Sequence, residues 1–208
     1  MDLDYAPHDL LWVTDVADSS ALPAWFSLAD LDVRPVVVRR APSESDRIAV
    51  GIRGQQRHER HACYVSSKAV IRQLTPEDIV AQQGWHTQAL RHPLPHWQTL
   101  EALCHIMQSA NQSWGINGSL AFELATGIPT AHAASDIDLR LRCQRPIERE
   151  RCQQIAESIG RLPQRCDVQI ETPYGAFALN EWLTAKRVMI KSHGGPYLTD
   201  TPWQALNH

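Results

Sequence analysis

Three short runs in the first third of the chain carry apolar residues at the spacing of β-strands. Val36, Val37 and Val38 lie within residues 34–40, Ile48, Val50 and Ile52 alternate within 47–53, and a third run spans 62–65. Turn-forming residues such as Pro42 and Gly54 separate them, so this region reads as β-rich. From Leu74 onward the texture changes. The His92-Pro93-Leu94-Pro95 segment cannot be helical and marks a break. Trp97, Leu100, Leu103, Cys104, Met107 and Ala110 then fall on one helical face. A short strand is expected at 114–117, a tight Gly118-Ser119 turn after it, and a helix over 120–125. Thr126-Gly127 and Pro129 stop that helix, because glycine accepts the left-handed cap and proline cannot continue.

Residues 136–142 alternate polar and apolar, as a half-buried strand does. Cys152, Ile155, Ala156 and Ile159 form the next helical stripe, with Pro146 near its start and Gly160 at its end. Residues 166–171 alternate again. A helical run over 176–186 and a strand over 188–191 complete the pattern. The expected fold is α+β: a smaller β-rich N-terminal domain (1–75) ahead of a mixed sheet with flanking helices (76–208).

Composition narrows the function classes. The apolar content suits a folded globular chain, and no run is long enough to span a membrane. Asp2 and Asp4 ahead of Tyr5 do not resemble a signal peptide, so a cytoplasmic location is expected. The five cysteines form no CxxC pair, which argues for free, mostly buried thiols over zinc or disulfides. His58, His61 and Cys63 do not have a zinc spacing either. The slightly acidic balance argues against general nucleic-acid binding. Arg140, Arg142, Arg145, Arg149 and Arg151 nevertheless crowd one segment, which suits phosphates or an acidic protein partner.

The chemistry concentrates in the 136–142 strand. Alternation puts Asp136, Asp138, Arg140 and Arg142 on one face and Ile137, Leu139 and Leu141 on the other. Two carboxylates about 4 Å apart repel by roughly 4 kcal/mol at an effective dielectric of 20. A divalent cation relieves this, and hard carboxylate oxygens suit magnesium. Asp167, Gln169 and Glu171 share one face of the 166–171 run. If the two strands are neighbours, Asp167 becomes a third carboxylate. Gly118-Ser119 at a helix start offers close backbone approach, free N–H groups and a hydroxyl to a phosphate. An Asp-Ile-Asp strand alone is better explained by a solvated face with local ion pairs. The ordered combination of Gly-Ser, capped helix, paired aspartates and a second acidic strand points to a two-metal transfer site.

These residues resemble the signature of the nucleotidyltransferase (polymerase-β-like) superfamily, Gly118-Ser119 followed by Asp136-Ile137-Asp138, although the gap between the two is longer than in minimal members. More specifically, residues 118–127 (GSLAFELATG) with 135–139 (SDIDL) are similar to malonate decarboxylase holo-acyl-carrier-protein synthases, the phosphoribosyl-dephospho-CoA transferases. Residues 167–173, 175–182, 194–196, 34–40 and 50–54 extend the resemblance over most of the chain. It implies transfer of the phosphoribosyl-dephospho-CoA group from 2'-(5''-triphosphoribosyl)-3'-dephospho-CoA to a serine of the apo acyl carrier protein of malonate decarboxylase, with release of pyrophosphate. It also implies that Asp136 and Asp138 hold Mg2+, that Gly118 and Ser119 grip the triphosphate, and that Asp167 is the third ligand or the base, with Gln169 or Glu171 as alternatives.

Arg140, Lys186 and Lys191 are further candidates for neutralising the triphosphate, with Arg187 beside them, and a solvated helix end explains Lys186, Arg187 and Lys191 equally well. His193 reads as a surface-loop histidine, and the tryptophans as core. Two other functions fit the same pattern: adenylyl transfer to another protein or small molecule, and a degenerate module that binds a nucleotide or a carrier without chemistry. Retention of both aspartates with Gly118-Ser119 speaks against the last.

Overall fold

The alternating runs at the start of the chain pair into one antiparallel sheet. In the computed structural model, which describes residues 5–17, 22–42, 46–56 and 58–205, the chain divides into two compact units, Met1–Thr75 and Pro76–His208. Asp2 and Asp4 lie outside the described residues. The first unit contains β1 (Leu10–Val13), β2 (Val36–Val38), β3 (Arg47–Arg53), β4 (Arg60–Ser66) and β5 (Val70–Leu74), in the order β4-β3-β2-β1-β5. Leu11, Val36, Val38, Val50 and Val65 fill its core from one face. Strands β1 and β5 escape the period-two reading for opposite reasons. All four residues of β1 are buried, whereas β5 exposes both Ile71 and Arg72.

The second unit opens with two short helices, α1 (Pro76–Gln82) and α2 (Trp85–Arg91), and continues into α3 (His96–Ser109). The proline-rich break at 92–95 separates α2 from α3 inside this unit. Then follow β6 (Trp114–Ile116), α4 (Gly118–Thr126), β7 (Ile137–Arg142), α5 (Arg149–Ile159), β8 (Cys166–Thr172), β9 (Gly175–Ala178), α6 (Leu179–Thr184), β10 (Val188–Ser192) and β11 (Gly195–Thr199). The sheet runs β11-β10-β9-β8-β7-β6, and among the described residues β7 and β8 are its one parallel pair. Parallel neighbours need a crossover, and α5 supplies it. Its stripe of Cys152, Ile155 and Ile159 is buried as the spacing requires.

Three expectations change. The run over 176–186 is not one helix: Gly175–Ala178 forms β9 between β8 and β10, and only Leu179–Thr184 is helical. Its apolar residues fit either period, so pairing with two flanking strands decides. The hairpin strand β11 was not expected. Finally, β7 is not half-buried. Arg140 is fully buried and donates to Glu77 Oε2 at 2.7 Å, while Arg142 Nε lies 3.3 Å from Glu77 Oε1. Helix α1 covers this end of the aspartate face. Gly115, opposite Arg140 on β6, permits it, since a Cβ there would stand 2.4 Å from Pro76 Cβ. Arg140 is therefore a buried cation held by Glu77 of α1.

Arg149 and Arg151 of the crowded segment are also employed internally, whereas Arg145 is exposed. Arg149 stacks over Trp182 and donates to the Trp182 and Ala185 carbonyls at the end of α6, and Arg151 donates to the Ala110 carbonyl after α3. Trp203 packs edge to face on Phe177 and Trp182 at 5.4 and 5.5 Å, and Phe177 and Trp182 meet at a tilt, 5.8 Å apart. The cysteines are all free, with Cys63, Cys143 and Cys152 buried. Burial pushes each of these three thiols up to about 11, so none is a reactive thiolate near neutral pH. Glu77→Ala, by removing a carboxylate acceptor from the buried Arg140 guanidinium, should cost about 2–4 kcal/mol of stability in urea unfolding. The double replacement Glu77→Met with Arg140→Met should recover most of that loss.

Candidate active site

Everything at the site depends on how β7 and β8 are paired. The register sets Asp138 directly opposite Asp167, Leu139 opposite Val168 and Arg140 opposite Gln169. Residues paired in this way point to the same face, about 4.8 Å apart. Asp167 thus stands beside Asp138, whereas Gln169 and Glu171 lie further along, opposite Arg140 and Arg142. Asp136 precedes β7 by one residue, two positions from Asp138. Asp136, Asp138 and Asp167 are all partly exposed, and they gather where β7 and β8 begin.

Gly118 and Asp138 share space that no other residue at 118 could leave. The Asn117 N–H donates to the Asp138 carbonyl at 2.8 Å, which brings the start of α4 against β7. Gly118 has φ +71°, and a Cβ there would lie 2.0 Å from Asp138 Oδ2. Glycine is required twice: for the left-handed backbone, and because the Asp138 carboxylate occupies the side-chain position. Gly118 and Ser119 belong to the first turn of α4 and not to a turn preceding it. Their N–H groups and the Ser119 hydroxyl sit at the positive end of a nine-residue helix, beside the carboxylates. Asn117 is buried, and its Oδ1 has no hydrogen-bond partner among the described residues.

A clamp that the sequence did not disclose fixes the loop leading to Asp136. Glu123, on α4, is fully buried. Its Oε2 accepts the Thr130 and Ala131 N–H groups at 2.9 and 3.0 Å. Its Oε1 accepts from Gln88 Nε2 at 3.1 Å and His92 Nδ1 at 2.7 Å. Burial pushes this carboxyl up, but the bonds from Ala131, Thr130, His92 and Gln88 outweigh it and hold Glu123 below its usual range. The Thr130 hydroxyl donates to the Ser119 carbonyl at 2.9 Å. His96, also fully buried, meets the Ser135 carbonyl at 2.7 Å. A carbonyl only accepts, so the proton is on His96 Nε2. Asp136 therefore follows a residue pinned by α3. A charge inside the otherwise apolar run Leu120–Leu124 was the available signal for Glu123. Nothing in the sequence marked His92 or His96.

Arg165, the last residue before β8, was also missed. Its carbonyl accepts the Ile137 N–H at 2.9 Å, and its guanidinium reaches both acidic residues flanking it: Nη2 is 3.2 Å from Asp167 Oδ1 and Nη1 is 3.8 Å from Asp136 Oδ2. Cys166 registers the negative field. Burial, then the charges of Asp167 and Asp136, push its thiol up to about 11. Among the described residues no three His, Cys, Asp or Glu side chains converge tightly enough to hold a cation. The donor set still fits one: hard carboxylates on adjacent positions, with Asp138 Oδ2 held in the cradle left by the missing Cβ of Gly118.

Of the two candidate lysines, only Lys191 lies well apart from this centre. Lys191, exposed on β10, pairs with Ala176, which pairs with Glu171. That register puts it two strands and four residues from Asp167, about 16 Å by strand geometry. Lys186 is exposed just ahead of β10, at the end of the sheet where β8 begins. Arg187 donates to the Leu198 carbonyl.

Two outcomes follow for stability and alignment. Glu123→Gln should cost about 2–3 kcal/mol at pH 7. Because folding lowers the Glu123 pKa, the stabilisation it gives is present above the ordinary carboxylate range. It should be lost as pH falls through the folded value, so the gap between variant and wild type in urea melts should narrow below about pH 4. Gly118→Ala should cost about 1–2 kcal/mol through its left-handed φ. It should also displace the Asp138 carboxylate, lowering turnover far more than it lowers the melting temperature.

Comparison with known proteins identifies the family. Residues 80–202 match the phosphoribosyl-dephospho-CoA transferase MdcG C-terminal domain, and residues 6–76 match the MdcG N-terminal domain. A phosphoribosyl-dephospho-CoA transferase of Klebsiella pneumoniae (strain 342) is 39% identical over 199 residues, covering 95% of each chain. The one from Azotobacter vinelandii is 40% identical over 207 residues, covering 96% of this chain and 95% of its own. That of Pseudomonas aeruginosa is 37% identical over 200 residues, covering 95% and 93%. No solved structure matches the chain. With both domains matched in order and relatives aligned along nearly their whole length, the chain belongs to the phosphoribosyl-dephospho-CoA transferase MdcG family.

Proposed function

We propose that this chain attaches the phosphoribosyl-dephospho-CoA group of 2'-(5''-triphosphoribosyl)-3'-dephospho-CoA to a serine of the apo acyl carrier protein of malonate decarboxylase, releasing pyrophosphate. Membership of the family supports the activity. The observation that carries the site is the in-register pairing of Asp138 with Asp167 beside Gly118. The absence of a CxxC pair and five free thiols suit a reducing compartment such as the cytoplasm. Among the described residues no helix is long and apolar enough to cross a membrane.

In this reading Asp136 and Asp138 hold magnesium, which when bound offsets the charge of the triphosphate and of the departing pyrophosphate. The first N–H groups of α4 and the Ser119 hydroxyl orient the triphosphate with its ribose-linked phosphorus toward the carboxylates. Asp167 receives the proton of the carrier serine as its oxygen approaches that phosphorus. One phosphorus–oxygen bond forms to the serine and one breaks to pyrophosphate, leaving a phosphodiester. Glu123 and His96 keep the 130–136 loop in place, so Asp136 need not be ordered during the reaction.

The test is mass spectrometry of the apo carrier protein incubated with enzyme, magnesium and the triphosphate precursor. The expected product carries a serine-linked mass gain of one phosphoribosyl-dephospho-CoA group. Asp138→Asn should lower its formation by at least about a hundredfold while leaving the circular dichroism spectrum and melting temperature close to wild type. Near-normal turnover in that variant would sink the assignment of Asp138. Transfer of AMP from ATP in place of the larger group would keep the site and replace the substrate.

A further inference from the structure

Arg165 stands where a cation would have to work. Its guanidinium bridges Asp136 and Asp167, the outer two of the three acidic residues, and these three side chains do not converge while it does so. The backbone of Arg165 is fixed, because its carbonyl receives the Ile137 N–H at 2.9 Å and so stitches the starts of β7 and β8 together. The side chain is not fixed in the same way. It is 72% exposed, against 38% for Asp136 and 45% for Asp167, and both of its ion pairs lie at the surface. Exposed pairs of this kind are weak and exchange readily. A guanidinium also carries the fork geometry that phosphate oxygens accept in pairs.

We propose that Arg165 is an exchangeable counter-ion that couples metal binding to triphosphate binding: it neutralises Asp136 and Asp167 in the free enzyme and transfers to the triphosphate when magnesium takes the carboxylates. This rests on the reading of Asp136, Asp138 and Asp167 given above and adds a substrate-binding residue to it. The consequence is thermodynamic. A cation entering alone must displace Arg165 and leave it without an anion, so free metal binds weakly. A cation entering with the triphosphate gives Arg165 a new partner. The two ligands then strengthen each other by the same factor, as reciprocal coupling requires. Neither Lys191, far along the sheet, nor the buried Arg140 can take this part.

The experiment is a Mn2+ titration of the substrate-free enzyme, followed by electron paramagnetic resonance of the free ion, on wild type, Arg165→Gln, Arg165→Lys and Asp138→Asn. Removal of two exposed pairs predicts that Arg165→Gln tightens Mn2+ by about three- to tenfold. The same variant should raise KM for the triphosphate precursor by about tenfold, by losing a charged hydrogen-bonding partner. Arg165→Lys keeps the charge without the fork and should fall between, which separates the proposal from a general loss of folding. Unchanged Mn2+ affinity in Arg165→Gln, or looser binding, would overturn it, and the reading of the site would stand as long as Asp138→Asn weakens Mn2+. If Asp138→Asn binds Mn2+ as wild type does, the metal site itself is elsewhere and both readings fall.

Discussion

The in-register parallel pairing of β7 with β8 is the constraint on which the rest of the structure depends. Strand side chains alternate, so a slip of one residue would carry Asp167 to the opposite face. The apolar set prevents this. Ile137, Leu139 and Leu141 are wholly buried, and Val168 and Ile170 lie opposite the last two. A slip would put the acidic residues of β8 into that core. Burial of three residues on β7 and two on β8 therefore fixes where the carboxylates stand, although none of those five touches the reacting atoms. The hydrogen bonds at the two ends of the pair, Ile137 to Arg165 and Cys143 to Glu171, close the ladder.

Two concentrations of negative charge lie close together in the chain and are stabilised by opposite means. Glu123 is buried, and its oxygens meet donors on and just after α2 and two backbone N–H groups of the loop it holds. Such a carboxylate is expensive to disturb and has no spare valence for a ligand. Asp136 and Asp167 are partly exposed and share one long, exposed guanidinium. That arrangement is weak by itself, and the weakness suits a centre that must accept another cation. The rigid anion holds the loop; the labile anions are the ones proposed to face the substrate. Magnitudes separate the roles, since charged bonds inside the protein are worth roughly 1.5–3 kcal/mol each and surface pairs rarely exceed about 1 kcal/mol.

Much of this was legible in the sequence where period and punctuation agree. The strands at 47–53 and 166–171, the helix stripe of α5, and the Gly127 stop of α4 with φ +72° all follow from local pattern. The DxD strand and its acidic neighbour were legible as types of residue, and their adjacency was conditional on a sheet order that no local pattern encodes. What escaped was made by contacts distant in the chain. Arg140 looked like a surface cation because its partner, Glu77, is 63 residues away on a short helix with no strong stripe. His96 and Ser135 are 39 residues apart. The 176–186 run was ambiguous because an apolar segment flanked by two strands and a helical one have the same composition at that length.

Gly118 shows how tightly the element proposed to grip phosphate and the one proposed to hold metal are joined. A glycine at a helix start is usually explained by backbone freedom, and its φ of +71° would suffice for that. The 2.0 Å separation between a notional Cβ and Asp138 Oδ2 adds a second requirement. The carboxylate reaches toward the α4 N-terminus through the volume that any side chain would fill. Negative charge there faces the positive end of the helix, which steadies the carboxylate in the absence of substrate. A triphosphate seeking the same N–H groups must then share that end of the helix with Asp138, and only a cation between them makes the approach favourable. The glycine thus sets the spacing at which carboxylate, cation and phosphate can coexist, and the Asn117–Asp138 backbone bond keeps that spacing from relaxing.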